Sequence, residues 1–95
     1  MAGELDHRAV ELLMAAASAI GGGFSMRRRD RLSVTVRSSV ALKLSEEGWS
    51  EAAIGRALGK DHATVHHMKV RMRDMLSLPG QYPEAAEIWR TINGE

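Results

Sequence analysis

A chain of 95 residues, 44% hydrophobic and 4% aromatic, has room for one domain around one modest core and too little for a second domain of ordinary size. The absence of cysteine excludes a disulfide framework and any thiolate metal site, and it agrees with a reducing, cytoplasmic compartment. Net charge is only +1, so a role with nucleic acid has to follow from where the charges sit rather than from their sum.

The first residues carry Glu4 and Asp6 where a secretory signal would be basic, and no apolar run approaches the roughly 20 residues that span a bilayer. Neither export by that route nor a membrane span is expected. From Leu5 to Ile20 the apolar residues Ala9, Val10, Leu12, Leu13, Ala16 and Ile20 recur at helical spacing until Gly21, Gly22 and Gly23 end the pattern. The stretch from Phe24 to Arg31, FSMRRRDR, has no apolar periodicity. It reads as an exposed basic arm carrying Arg27, Arg28, Arg29 and Arg31, for which the plainer reading is a solvated loop.

A second helix is expected from about Ser33 to Glu47, with Val36, Val40, Ala41, Leu42 and Leu44 on its apolar side. The β-branched LSVTV leaves its start ill defined. Gly48 ends it, Ser50 can cap a short helix from Glu51 to Leu58, and Ala53, Ile54, Ala57 and Leu58 form that helix's apolar face. After Gly59, Asp61 can cap a longer helix to about Leu76, with Val65, Met68, Met72, Met75 and Leu76 as its buried stripe. Pro79 stops it. Pro83 opens a last helix to about Ile92 bearing Ala86, Ile88, Trp89 and Ile92, and Trp49 and Trp89 read as packing anchors. The expected architecture is all-α, a small domain of about five helices. Residues 1–23 form an N-terminal helix that caps the core or meets a partner, and residues 24–95 form the remaining domain.

The two helices Glu51 to Leu58 and His62 to Leu76, separated by a tight glycine turn, make a helix-turn-helix candidate. Gly55 lets the helices approach, Gly59 supplies the positive φ of the turn, and Val65 and Met68 point back toward the first helix. Lys60, Ala63, His66, His67 and Val70 are left facing away from the core. Such a helix presents its N-terminal residues to base edges in a major groove, while basic side chains and the positive helix end take phosphates.

IGRALGKDHATVHHMKVRM, from Ile54 to Met72, resembles the DNA-binding signature of the C-terminal domain of the bacterial chromosomal replication initiator DnaA. Ile54, Gly55, Leu58, Gly59, Lys60, His62, Thr64 and Val65 match that pattern as they stand. RSSVALKLSEEGWS is similar to the family's long preceding helix and PEAAEIWRTI to its last, so the likeness runs from about Arg27 to Ile92. The resemblance implies a helical domain that binds short asymmetric duplex boxes. It implies base reading by Asp61 and His62, with Thr64 close to a base edge or the backbone, and Lys60 and Arg71 near phosphates. It also implies minor-groove entry by an arginine of the connector, Arg28 among Arg27, Arg29 and Arg31, and a phosphate contact near Arg37. Ala63, His66 and His67 complete the surface offered to the groove.

Two departures bear on readout. Ala63 stands where the family has a Ser or Thr hydroxyl, and Met68 where it has a small residue touching a thymine methyl; one good base contact is worth about 1–3 kcal/mol of discrimination. The chain also lacks a phosphate-binding run of the form GxxxxGKS or GxxxxGKT, so an ATP-driven initiator is not expected from it. A bacterial or phage transcriptional regulator, or the DNA-binding domain of a longer one, is expected instead, nucleoid-associated and without a cofactor. An origin-binding modulator of replication is the alternative. A helical protein adaptor is the rival of another class, because the first helix is more apolar than a solvent-facing helix needs to be. His62 and His66 have a metal-ligand spacing, but a structural site wants four ligands and His67 lies about 100° around the helix from His66, so no metal is expected. No nucleophile sits beside a base, Glu46 and Glu47 fall at a helix end, and no enzyme or small-molecule substrate is expected.

Overall fold

The structure is a computed structural model that describes residues 2–22 and 30–95. Among the described residues there are five helices and no strand: α1 (Ala2–Ala19), α2 (Arg31–Glu46), α3 (Glu51–Leu58), α4 (His62–Leu76) and α5 (Pro83–Ile92). Arg27, Arg28 and Arg29 lie outside the described residues.

The N-terminal helix begins at Ala2 rather than Leu5 and ends at Ala19, where Gly21 and Gly22 turn the chain with positive φ. Leu5, Ala9, Leu12 and Ala16, at offsets of four, three and four, form its buried face. They join Val36, Val40, Ile54, Val65 and Ile88 in one core, so α1 is built into the same packing as the other helices. Val10, expected on that face, is instead 55% exposed, because it lies about 100° around the helix from Ala9.

The second helix starts at Arg31, two residues before the expected Ser33, because the Asp30 carboxylate accepts the Ser33 backbone N–H at 3.1 Å and caps it. The cap places Arg31 inside the helix, which corrects its assignment to the connector. There Arg31 reaches the Gln81 carbonyl at 3.3 Å and Glu84 at 3.9 Å and lies over the Tyr82 ring. Its guanidinium is tied to the start of α5.

The middle of the fold is α2, which packs against each of the other four helices. Besides Val36, Val40, Ala41, Leu42 and Leu44 it buries Ser33, Thr35, Arg37, Ser38 and Ser39. Its apolar stripe is weak because small hydroxyl residues fill the remaining close approaches. Most of them cost little there, since a helical hydroxyl can donate to a carbonyl one turn back. Thr35 donates to the Arg31 carbonyl at 2.7 Å and Ser39 to that of Val36 at 2.8 Å.

Ser50 caps α3 by accepting the Ala53 N–H at 3.1 Å, and Gly59 closes it in the left-handed conformation, φ 70° and ψ 33°. Ile54 and Leu58 of α3 and Val65 and Met68 of α4 meet in the main core. Farther along α4, Met72 and Met75 pack with Leu42 and Ala85 in a second cluster, which Tyr82 and Trp89 partly cover. On α5 the buried alanine is Ala85 rather than the expected Ala86, and Lys43 donates to the Asn93 side chain at 2.6 Å, joining α2 to the end of α5.

One ion pair fastens α1 to the end of α2. Arg8 donates Nε–H to both oxygens of Glu47 at 2.9 and 3.1 Å and Nη2–H to Oε2 at 2.5 Å. These hydrogen bonds hold the Glu47 carboxyl below the ordinary glutamate range, against a smaller opposing push from burial. The folded value is therefore the lower one, so the stabilisation is complete above the ordinary glutamate value and is lost as pH falls through the folded value. Both side chains are partly exposed, at 37% and 26%, and solvent screening limits the pair to under about 1 kcal/mol. Arg8→Ala is expected to cost at most that near neutrality, with the gap to the wild type closing in acid. Urea melts over a pH series check this; a gap that widens toward acid would contradict it.

Candidate nucleic-acid interface

The turn between α3 and α4 is tight because of Gly55. The Lys60 backbone N–H donates to the Gly55 carbonyl at 2.8 Å, and a Cβ built on Gly55 would collide with the Lys60 carbonyl oxygen. Asp61 then starts α4. Its Oδ1 accepts the Thr64 backbone N–H at 2.7 Å, and this bond above all keeps the carboxyl below the ordinary aspartate range. The carboxylate expected to meet a base thus has one oxygen engaged as a helix cap.

Side chains around α4 follow its turn of about 100° per residue. Val65, Met68, Met72 and Met75 point inward, and His62, Ala63, His66, His67 and Val70 are exposed on the opposite side. The centre of that outer face is Ala63 and Val70, a small and a medium apolar residue. His67 lies on the flank toward α2 and His66 on the flank toward α3, their rings edge to face with centroids 6.0 Å apart.

On the α2 side a groove of about 470 Å³ runs between the two helices, with Arg37, Lys60, Thr64, Met68 and Arg71 among its lining residues. It continues into a second groove of about 530 Å³ that includes His67, Val70, Asp74 and Tyr82. Lys60, half-buried, and Arg71, exposed, enter no ion pair among the described residues. Arg37 is only 7% exposed and lies at the base of the groove; burial lowers its pKa, partly countered by the Asp30 charge. It remains a cation at any relevant pH, placed to add potential beneath the groove rather than to reach outward. Ser38, wholly buried at the junction of the two grooves, has a side-chain oxygen without a hydrogen-bond partner among the described residues.

On the α3 side the Glu51 carboxylate accepts from Lys69 Nζ at 2.9 Å and lies 2.9 Å from His66 Nδ1, both on α4. Lys69 also reaches the Ser45 hydroxyl at 3.3 Å. Lys69 first and His66 second hold the Glu51 carboxyl below its ordinary range. Glu51 and Lys69 have no signal in the sequence for this role, because residues fifteen and eighteen apart on different helices meet only once the turn is closed.

The structure therefore gathers Lys60, Asp61, His62, Ala63, Thr64, His66, His67 and Arg71 around the exposed side of α4 and the groove beside it, with Arg37 at the base of that groove, and draws the Arg31 side chain off to α5. Among the described residues no three His, Asp or Glu side chains are grouped as metal ligands would be, and no helix is long and apolar enough to cross a membrane. No protein-family model, no curated protein and no solved structure matches the chain.

Proposed function

We propose that this protein binds duplex DNA with sequence preference through the α3–α4 helix-turn-helix, as a nucleoid-associated transcriptional regulator or the DNA-binding part of one. The observation that carries the reading is the outer face of α4. A small residue, Ala63, is bordered by His62, His66 and His67, with Lys60 and Arg71, which have no ion-pair partner among the described residues, along one edge. A major groove admits a helix with small and polar residues at its N-terminal half, and cations at its edge suit the phosphates that flank the groove. The likeness of Ile54 to Met72 to the DnaA C-terminal signature supports the same reading. Origin binding, which the likeness also suggests, would use the same face.

Selection of duplexes from a random library at near-physiological salt tests the proposal. Enrichment of a short motif is the expected result, and retention without any enriched motif would reduce the interaction to charge alone. His62→Ala is expected to relax preference at one base position and leave the others intact. Equal weakening on every sequence would remove His62 from base reading.

One observation favours a second reading, a helical protein adaptor. Val10 and Met14, one turn apart on α1, are 55% and 68% exposed, more apolar surface than an unpartnered helix needs. An adaptor would enrich no motif and would lose a protein partner on substitution of Val10 and Met14.

A further inference from the structure

The Glu51 contacts bear on how α4 would read a base. A carboxylate can only accept hydrogen bonds, and Glu51 stands 2.9 Å from His66 Nδ1. The His66 proton therefore belongs on Nδ1 whether the ring is neutral or charged. In the neutral ring Nε2, across the ring from Nδ1 and so turned away from Glu51, then carries a lone pair and no hydrogen. His66 occupies the fifth position of α4, on the exposed face beside Ala63, with its side chain 58% exposed.

We infer that Glu51 is a positioning residue that holds His66 as the Nδ1–H tautomer, making Nε2 a base-reading atom whose preference changes with protonation. When neutral, Nε2 accepts a hydrogen from the exocyclic amino group of adenine or cytosine. When a proton is added, Nε2–H donates to O6 or N7 of guanine. The inference rests on the DNA-binding reading for its readout but not for its tautomer. The charged and titratable groups around the ring are Glu51 from α3, Lys69 on the same Glu51 carboxylate, and His62 and His67 from α4, with Ser45 at the end of α2 holding Lys69. The hydrogen bond from Lys69, whose side chain is only 12% exposed, holds the Glu51 carboxyl below its ordinary range, so the acceptor on which the tautomer depends stays in place.

Two measurements separate the parts. Nitrogen NMR of the imidazoles in the free protein at about pH 8, where histidines are largely neutral, is expected to show His66 protonated at Nδ1. In Glu51→Ala the signal should move toward the Nε2–H form or a mixture. A wild-type His66 protonated at Nε2 overturns the inference without reference to DNA. Duplex selection at about pH 5.5 and about pH 8, the range over which histidine changes charge, then tests the readout. One position of the enriched motif is expected to swing from an amino-bearing base toward guanine, by about tenfold, the size of one good base contact. His66→Ala should abolish that swing and leave the rest of the motif unchanged, which distinguishes His66 from His62 and His67. A motif identical at both pH values, with the Nδ1–H tautomer present, overturns the readout alone. Absence of any motif in either selection overturns the DNA-binding reading and the readout with it, while the tautomer is still decided by the NMR result.

Discussion

Gly55→Ala is expected to destabilise the protein by about 2 kcal/mol, within the range for forcing extra volume into a packed interior. On α3, a glycine-to-alanine change taken alone would favour the helix by about 1 kcal/mol, so the packing term has to overcome that gain. It does so because the obstacle is the Lys60 backbone carbonyl, which cannot swing aside as the tip of a side chain would. Moving it disturbs the Lys60 N–H bond to Gly55 at 2.8 Å and the adjoining Asp61 cap. For a domain of this size 2 kcal/mol lowers the melting temperature by roughly 8–16 °C. Gly3→Ala is the control of opposite sign. It lies in α1 with nothing within 4 Å of the added Cβ, and it should leave stability unchanged or raise it by up to about 1 kcal/mol. Thermal melts of both variants decide the matter: a Gly55→Ala protein as stable as the wild type would mean that the α3–α4 turn is not held at the approach described.

The second large effect concerns Lys60 and Arg71. If each meets a phosphate beside the groove, each releases about 0.9 counterion on binding. Removing both by Lys60→Ala and Arg71→Ala should flatten the slope of log affinity against log salt by about 2. Near 0.15 M salt the loss amounts to about thirtyfold in affinity, some fivefold per contact. Because phosphates carry no sequence, the order of preference among duplexes should be unchanged. Titrations of a selected duplex at several salt concentrations test this directly. An unaltered slope would move the phosphate track off the α2–α4 groove, and a changed order of preference would make one of the two cations a base reader. Neither residue has an ion-pair partner in the protein to lose among the described residues, so the double variant is expected to fold normally.

The elements that could be placed from sequence are those whose ends are set locally. Ser50, Gly59, Asp61 and Pro83 mark the limits of α3, α4 and the start of α5 at the residues where the structure has them, since a cap or a left-handed glycine acts within one turn of its own position. The start of α2 was less legible because two local signals compete there, the β-branched run after Arg31 and the Asp30 cap, and the cap prevails. Around the candidate site, the outward face of α4 followed from its period. The groove cations Lys60 and Arg71 could be named from the family resemblance, but their shared edge with a buried Arg37 could not.

By itself the sequence determined that the chain is helical, where three of its helices begin, and which stripe of α4 turns inward, because hydrogen-bonded turns and helical period depend on neighbours a few residues away. Only the tertiary structure decided that α2, the helix with the weakest apolar stripe, is the most enclosed, that the Arg31 guanidinium is tied to the start of α5, and that Glu51 engages His66 and Lys69. Each of these depends on distance between residues far apart in the chain. A serine that can bond its own helix is equally suited to water and to a close-packed interface, and only packing decides which it meets.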